Sequence, residues 1–149
     1  MLKRMMGAIL FTVLCLTSFN LFAAINDPEG VWTSIDDRDG QPRSIVQISE
    51  SNGIYSGHIL KVFPRPGDTG FCRKCPPPFR DKPTKGLGII WNIRQTGNNE
   101  WSGGRILDPK SGSIYRLKLS LADGGRRMNV RGYIGISLLG RTQTWLRKN

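Results

Sequence analysis

Turn signals recur at short intervals along this chain, and the runs between them have the period of strands. No segment sustains a 3.6-residue apolar repeat with helix caps. The clearest run is Ser113 to Leu121. It sets Tyr115, Leu117, Leu119 and Leu121 on one face and Arg116, Lys118 and Ser120 on the other. Similar runs are Val31 to Thr33, Ser44 to Ser49, Ile54 to Phe63, Leu87 to Ile93, Trp101 to Leu107, Arg126 to Tyr133 and Thr142 to Arg147. Between them stand Asp36 to Gly40, Asn52-Gly53, Thr96 to Asn99, Asp108 to Gly112 and Asp123 to Gly125. Asn-Gly is a strong hairpin signal, because both positions accept a positive φ. The pattern predicts an all-β fold of about eight sequential antiparallel strands, and closure into an up-and-down barrel removes the exposed edges such a sheet would carry. A sandwich or an open meander is the rival arrangement. A barrel of this size either fills with side chains or encloses one small ligand. Gly57, Gly88, Gly103 and Gly104 fall inside strand runs, where sharp coiling explains them better than pocket-making.

One segment breaks the rhythm. Pro64 to Gly86 holds six prolines, and no regular strand tolerates that. It is a long ordered loop or lid between the two halves of the meander. Arg65, Arg73, Lys74, Arg80, Lys82 and Lys85 lie in it, opposed by Asp68 and Asp81. It also carries Cys72-Arg73-Lys74-Cys75. Zinc would need four ligands, and a second cysteine pair is missing. A thioredoxin-like redox pair would open a helix, which Pro76-Pro77-Pro78 forbids. A disulfide between Cys72 and Cys75, stapling a loop poor in apolar side chains, is the default in an oxidising compartment.

The N-terminus addresses the compartment. Lys3 and Arg4 precede an apolar run from Met5 to Phe19, and small residues follow at Ala23 and Ala24. This reads as a secretory signal peptide over residues 1–24, cleaved after Ala23 or Ala24; an uncleaved anchor is the alternative, although the run is short for a bilayer span. Residues 25–149 then form a single β-barrel domain. The formal charge of +11 falls to about +9 when Lys3 and Arg4 depart. Inside a cell that balance would suggest nucleic acid. Export disfavours that partner and substitutes anionic envelope components, such as phospholipid headgroups, lipopolysaccharide and acidic glycans.

Catalytic constellations are weak. His58 is the single histidine and sits in a strand without a nucleophile motif. The acidic residues fall at turns, where they favour local hydrogen bonds. No catalytic residue, metal site or cofactor is predicted. The aromatics are spread over most strands, and Trp91, Tyr115 and Tyr133 are the candidates for lining a cavity, being apolar with one polar handle.

Gly30-Val31-Trp32 opens the first strand, and Arg141 and Arg147 bracket the last. Lipocalins begin their first strand with a similar Gly-x-Trp and cover its indole with a basic residue from the last strand. Trp32, Arg141 and Arg147 are therefore candidates for barrel closure through a cation on indole. The block Arg131 to Trp145 spends three glycines; Gly132, Gly135 and Gly140 allow bends, and Ile134, Ile136, Leu138 and Leu139 are expected to plug one end. Together with Ser44 to Ile48, Cys72 to Cys75, Gly86 to Trp91 and Gly103 to Pro109, these segments resemble the bacterial family catalogued as domain of unknown function 2147. The resemblance implies an exported, lipocalin-like barrel without an assigned reaction. The high basic charge and the run Pro76-Pro77-Pro78 depart from that family's pattern.

These readings predict a periplasmic binding barrel, not an enzyme, for a small apolar or amphipathic ligand such as a fatty acid or lipid fragment. The alternative is a cell-envelope interaction module, holding a polyanion or protein through its basic surface and the 64–86 loop. A continuous interior cavity favours the first and a packed core the second.

Overall fold

The computed structural model describes residues 25–149. The expected signal peptide, residues 1–24, lies outside the described residues. Eight strands form in chain order: β1 (Gly30–Ile35), β2 (Pro42–Ser51), β3 (Ile54–Val62), β4 (Gly88–Gly97), β5 (Glu100–Leu107), β6 (Ile114–Ala122), β7 (Arg127–Tyr133) and β8 (Gly140–Arg147). Each pairs antiparallel with the next, and β8 returns to β1, closing the barrel. The sandwich and the open meander are thereby excluded. A single 3₁₀ turn at Asp123–Gly125 joins β6 to β7. Among the described residues, no helix is long and apolar enough to cross a membrane.

Turn chemistry sets the register. Ser51 faces Ile54 across Asn52 (φ 52°) and Gly53 (φ 77°), the two-residue loop that the right-handed strand twist prefers. Register then carries each inward position around the wall: Ile48 faces Gly57, Gly57 faces Ile90, Ile90 faces Ile106 and Ile106 faces Tyr115. A Cβ on Gly57 would stand 3.2 Å from that of Ile90, and one on Gly104 would collide with the Trp91 carbonyl and with Ile93. These two glycines serve close approach, not the opening of space.

Seven connections and the entry segment divide between the two ends of the barrel. At the narrow end lie the β2–β3, β4–β5 and β6–β7 turns and the entry segment, residues 25–29. At the wide end lie the β1–β2, β3–β4, β5–β6 and β7–β8 loops. Trp32, Ile48, Ile93, Trp101, Leu117, Leu119 and Met128 pack the interior toward the narrow end, each at most 1% exposed. Burial on this scale stabilises by about 1.5–3 kcal/mol for each large apolar side chain.

The β7–β8 block departs from expectation. Ile134, Ile136, Leu138 and Leu139 plug nothing: they are 66%, 59%, 85% and 70% exposed. The reason is register. Tyr133 facing Gly140 is the last β7–β8 pair, so the residues between them project beyond the sheet at the wide end. The narrow end is already sealed by the entry segment, whose Pro28 is fully buried.

Candidate functional site

At the narrow end, one arginine organises the seal. The Arg147 guanidinium lies 4.2 Å from the Trp32 ring centroid. It donates to the carbonyls of Asp27 (2.6 Å), Glu29 (2.7 Å) and Gly125 (2.7 Å). Trp32 Nε1 donates to the Pro28 carbonyl at 2.8 Å. Burial pushes the Arg147 pKa down, and the three carbonyls take the place of the water it has lost. Of the two candidate arginines, Arg147 covers the indole; Arg141 sits at the opposite end.

The wide end opens into a cavity of about 1030 Å³. Ile59, Val62, Ile89, Leu107, Val130 and Trp145 give it an apolar wall, and Tyr115 adds a phenol. Space exists here because three inward positions of this half, on β1, β2 and β7, are small. Ser34, Ser44 and Gly132 line it, whereas one step toward the narrow end the same strands carry Trp32 and Val46. The two serines satisfy each other, Oγ to Oγ at 2.7 Å, and the Ser44 N–H donates to Ser34 Oγ at 3.0 Å.

Charge encircles the mouth. Asp36 is buried at its edge, with Arg38 at 3.2 Å, Arg65 at 3.3 Å and Arg141 at 3.6 Å. The Arg38 N–H bond holds the Asp36 carboxyl below its ordinary pKa; burial opposes this, and the Arg38 and Arg65 guanidinia reinforce it. Arg141 pairs with Asp37, Arg65 with Asp39 at 2.5 Å, and Arg43 with Asp68 at 3.3 Å. These pairs latch the β1–β2 and β3–β4 loops to each other and to β8. The lining still contains seven Lys and Arg side chains against three carboxylates. Among the described residues, Lys74, Lys85 and Lys110 make no ion pair. An apolar interior below a cationic rim suits a molecule with an acyl-like body and an acidic head.

The 64–86 loop shapes one side of this rim. Cys72 and Cys75 are joined by a disulfide and fully buried. Their Sγ atoms lie 3.7 and 4.0 Å from the Pro109 carbonyl oxygen. A Cβ on Gly112 would strike the Lys74 carbonyl, so the stapled turn is seated directly on the β5–β6 loop.

Tyr115 lines the cavity; Tyr133 stands at its rim, with its ring on the outer face beside Arg116 and the Lys118 amino group 5.9 Å from its centroid. Trp91 does not line it. It faces Arg105 on the outer surface and stacks on Phe79 of the 64–86 loop, with ring centroids 5.6 Å apart. A bulge at Asn92, whose φ is 59°, makes this side of β4 hard to assign from alternation. Sequence reasoning missed Asp36, Arg43, Ser34 and Ser44. Ser34 and Ser44 carried a signal as polar residues two positions from the inward Trp32 and Val46, whereas Asp36 lies in the turn beyond β1.

The fold and the cavity define a class, a lipocalin-like barrel. It is similar to a solved structure described as "Protein HP1028 from the human pathogen Helicobacter pylori belongs to the lipocalin family", with a TM-score of 0.71 and 18% identity over 84% of this chain and 85% of that one. The chain itself belongs to the family described as "Uncharacterized protein conserved in bacteria (DUF2147)", which matches residues 30–147. No curated protein matches the sequence.

Proposed function

We propose that this protein is a periplasmic carrier, and not an enzyme, for a small amphipathic molecule such as a fatty acid or lipid fragment. The observation that carries the reading is the 1030 Å³ cavity under a cationic rim. Its volume stands at the top of the range of about 300–1,000 Å³ typical of ligand pockets. The apolar body lies against Ile59, Ile89, Val130 and Tyr115. The acidic head meets Arg43, Lys85 or Lys110, where the low-dielectric wall strengthens each attraction. Cleavage of residues 1–24 delivers the barrel to the periplasm, and the buried disulfide fits that oxidising compartment.

The test is native mass spectrometry of protein exported by a bacterial host, followed by delipidation and titration with a fatty acid. A bound mass in the first step and saturable binding that persists in high salt are expected. Delipidated protein that takes up no fatty acid or lipid fragment overturns the reading.

A further inference from the structure

Nine large apolar side chains are exposed among the described residues, and six of them stand on the wide end: Phe71, Ile114, Ile134, Ile136, Leu138 and Leu139. Four belong to one short loop between β7 and β8. Monomeric proteins seldom gather exposed apolar groups this way without a use for them.

The loop is built to hold that shape. The Arg131 guanidinium donates to the Ser137 carbonyl at 2.7 Å and to the Leu138 carbonyl at 3.3 Å. The Leu139 N–H donates to the Ile136 carbonyl at 3.0 Å, and the Ile134 N–H to the Leu139 carbonyl at 3.4 Å. Several backbone polar groups of the tip are thus satisfied within the protein. Entering an apolar layer therefore leaves fewer of them bare, which is the principal cost of placing a loop there.

The surroundings select the kind of layer. Lys74, Lys85 and Lys110 line the same mouth as Ile134 and Leu139 and make no ion pair among the described residues. Basic groups near an anionic bilayer are attracted to its surface, and the whole chain carries +11. Apolar tips flanked by lysines match an acidic headgroup layer with hydrocarbon beneath it.

We propose that the wide end docks on an anionic lipid bilayer, with Ile136 and Leu138 entering the headgroup boundary and the mouth lysines resting on acidic phosphates. Ile134 and Leu139 are both exposed and part of the cavity wall. Docking therefore places the cavity mouth against the membrane. The inference goes beyond cavity binding and does not depend on which molecule fills the cavity.

The full chain is produced in an exporting host, and co-sedimentation is measured with vesicles of phosphatidylethanolamine containing phosphatidylglycerol, and with vesicles of phosphatidylcholine alone. Binding to the first set is expected, weakening with salt, with little binding to the second. The double variant I136D/L138D should lose at least about tenfold in affinity for the acidic vesicles. It should keep its thermal transition and its displacement of a fluorescent fatty-acid probe. In L138W, the added indole reports depth as the difference from the parent, whose four native indoles emit as well: that difference emission should shift to the blue on acidic vesicles and stay unshifted on neutral ones. Emission of that indole unchanged on acidic vesicles overturns docking. So does equal affinity of I136D/L138D and parent, or a blue shift that follows protein concentration without lipid, which would assign the tip to a second copy of the chain. Vesicle docking without fatty-acid uptake would leave this inference standing and remove the carrier reading instead.

Discussion

The two ends of the barrel are made from the same eight strands and are finished in opposite ways. At the narrow end Trp32, Trp101, Leu119 and Met128 fill the interior, and a single arginine gathers three carbonyls and an indole. At the wide end inward positions shrink to Ser34, Ser44 and Gly132, and the arginines spend their hydrogen bonds on aspartates of neighbouring loops. Arg147 and Arg141 show the contrast within β8. One is partly buried and anchored on three carbonyls; the other is half-exposed in an ion pair that solvent weakens. The narrow end thus concentrates stability, and the wide end spends it on a hollow and a charged rim.

The sharpest way to break this division is to remove the indole of the seal. Trp32→Ala should cost about 3–5 kcal/mol, because it empties a fully buried position. A shift of that size in the urea midpoint, read by far-UV circular dichroism, is expected. A variant as stable as its parent would show that the narrow end does not dominate. Arg147→Ala should cost about 3 kcal/mol, through loss of charge-assisted hydrogen bonds to the entry segment. Amide exchange should then speed up in residues 25–29, while the rim is unaffected.

Effects at the wide end should be smaller in stability and larger in binding. Reduction of the Cys72–Cys75 bond should lower stability by at most about 2 kcal/mol, since the closed loop is short. Proteolysis should then reach the 64–86 loop before the strands. Val130→Phe fills cavity volume; stability should change by no more than about 1 kcal/mol, and affinity for a fatty-acid probe should fall about tenfold, measured by fluorescence titration. Unchanged affinity would place the ligand elsewhere.

The gentlest probe is acid. Asp36, Asp37 and Asp68 all have pKa values below the ordinary 3.8 in the folded protein. Groups depressed in this way contribute stability above about pH 4, and that contribution is lost as pH falls through their folded values. The rim latch should therefore loosen below about pH 4 while the Arg147 seal, which uses carbonyls and an indole, persists; at that end the exposed Asp123–Arg126 pair shares the acid sensitivity. Amide exchange at Asp36 and Gly40 rising before exchange at Trp32 is the expected order. Simultaneous exchange would mean that the two ends are one cooperative unit.

Much of this barrel is legible in the residues. Alternation across Tyr115, Leu117 and Leu119 and the Asn52-Gly53 turn act over a few positions, so strand period and hairpin register follow from local chemistry. Gly30, Trp32 and a C-terminal arginine signal closure only through their resemblance to lipocalins, since the pairing joins the first strand to the last. Trp91 was misplaced because the bulge at Asn92 interrupts the alternation on which facing depends. The exposed tip was misread because an apolar loop and an apolar plug have the same composition.

The sequence alone determined an all-β chain of hairpins, because turn geometry and side-chain period are short-range properties; its family follows from the match over residues 30–147. Only the tertiary structure decided that the interior is hollow at one end, that Arg147 and not Arg141 seals the other, and that Ile134 to Leu139 face outward. Each of these depends on which side chains meet across strands far apart in the chain. Closure of β8 on β1 brings Arg147 to Trp32, a partnership set by three-dimensional register.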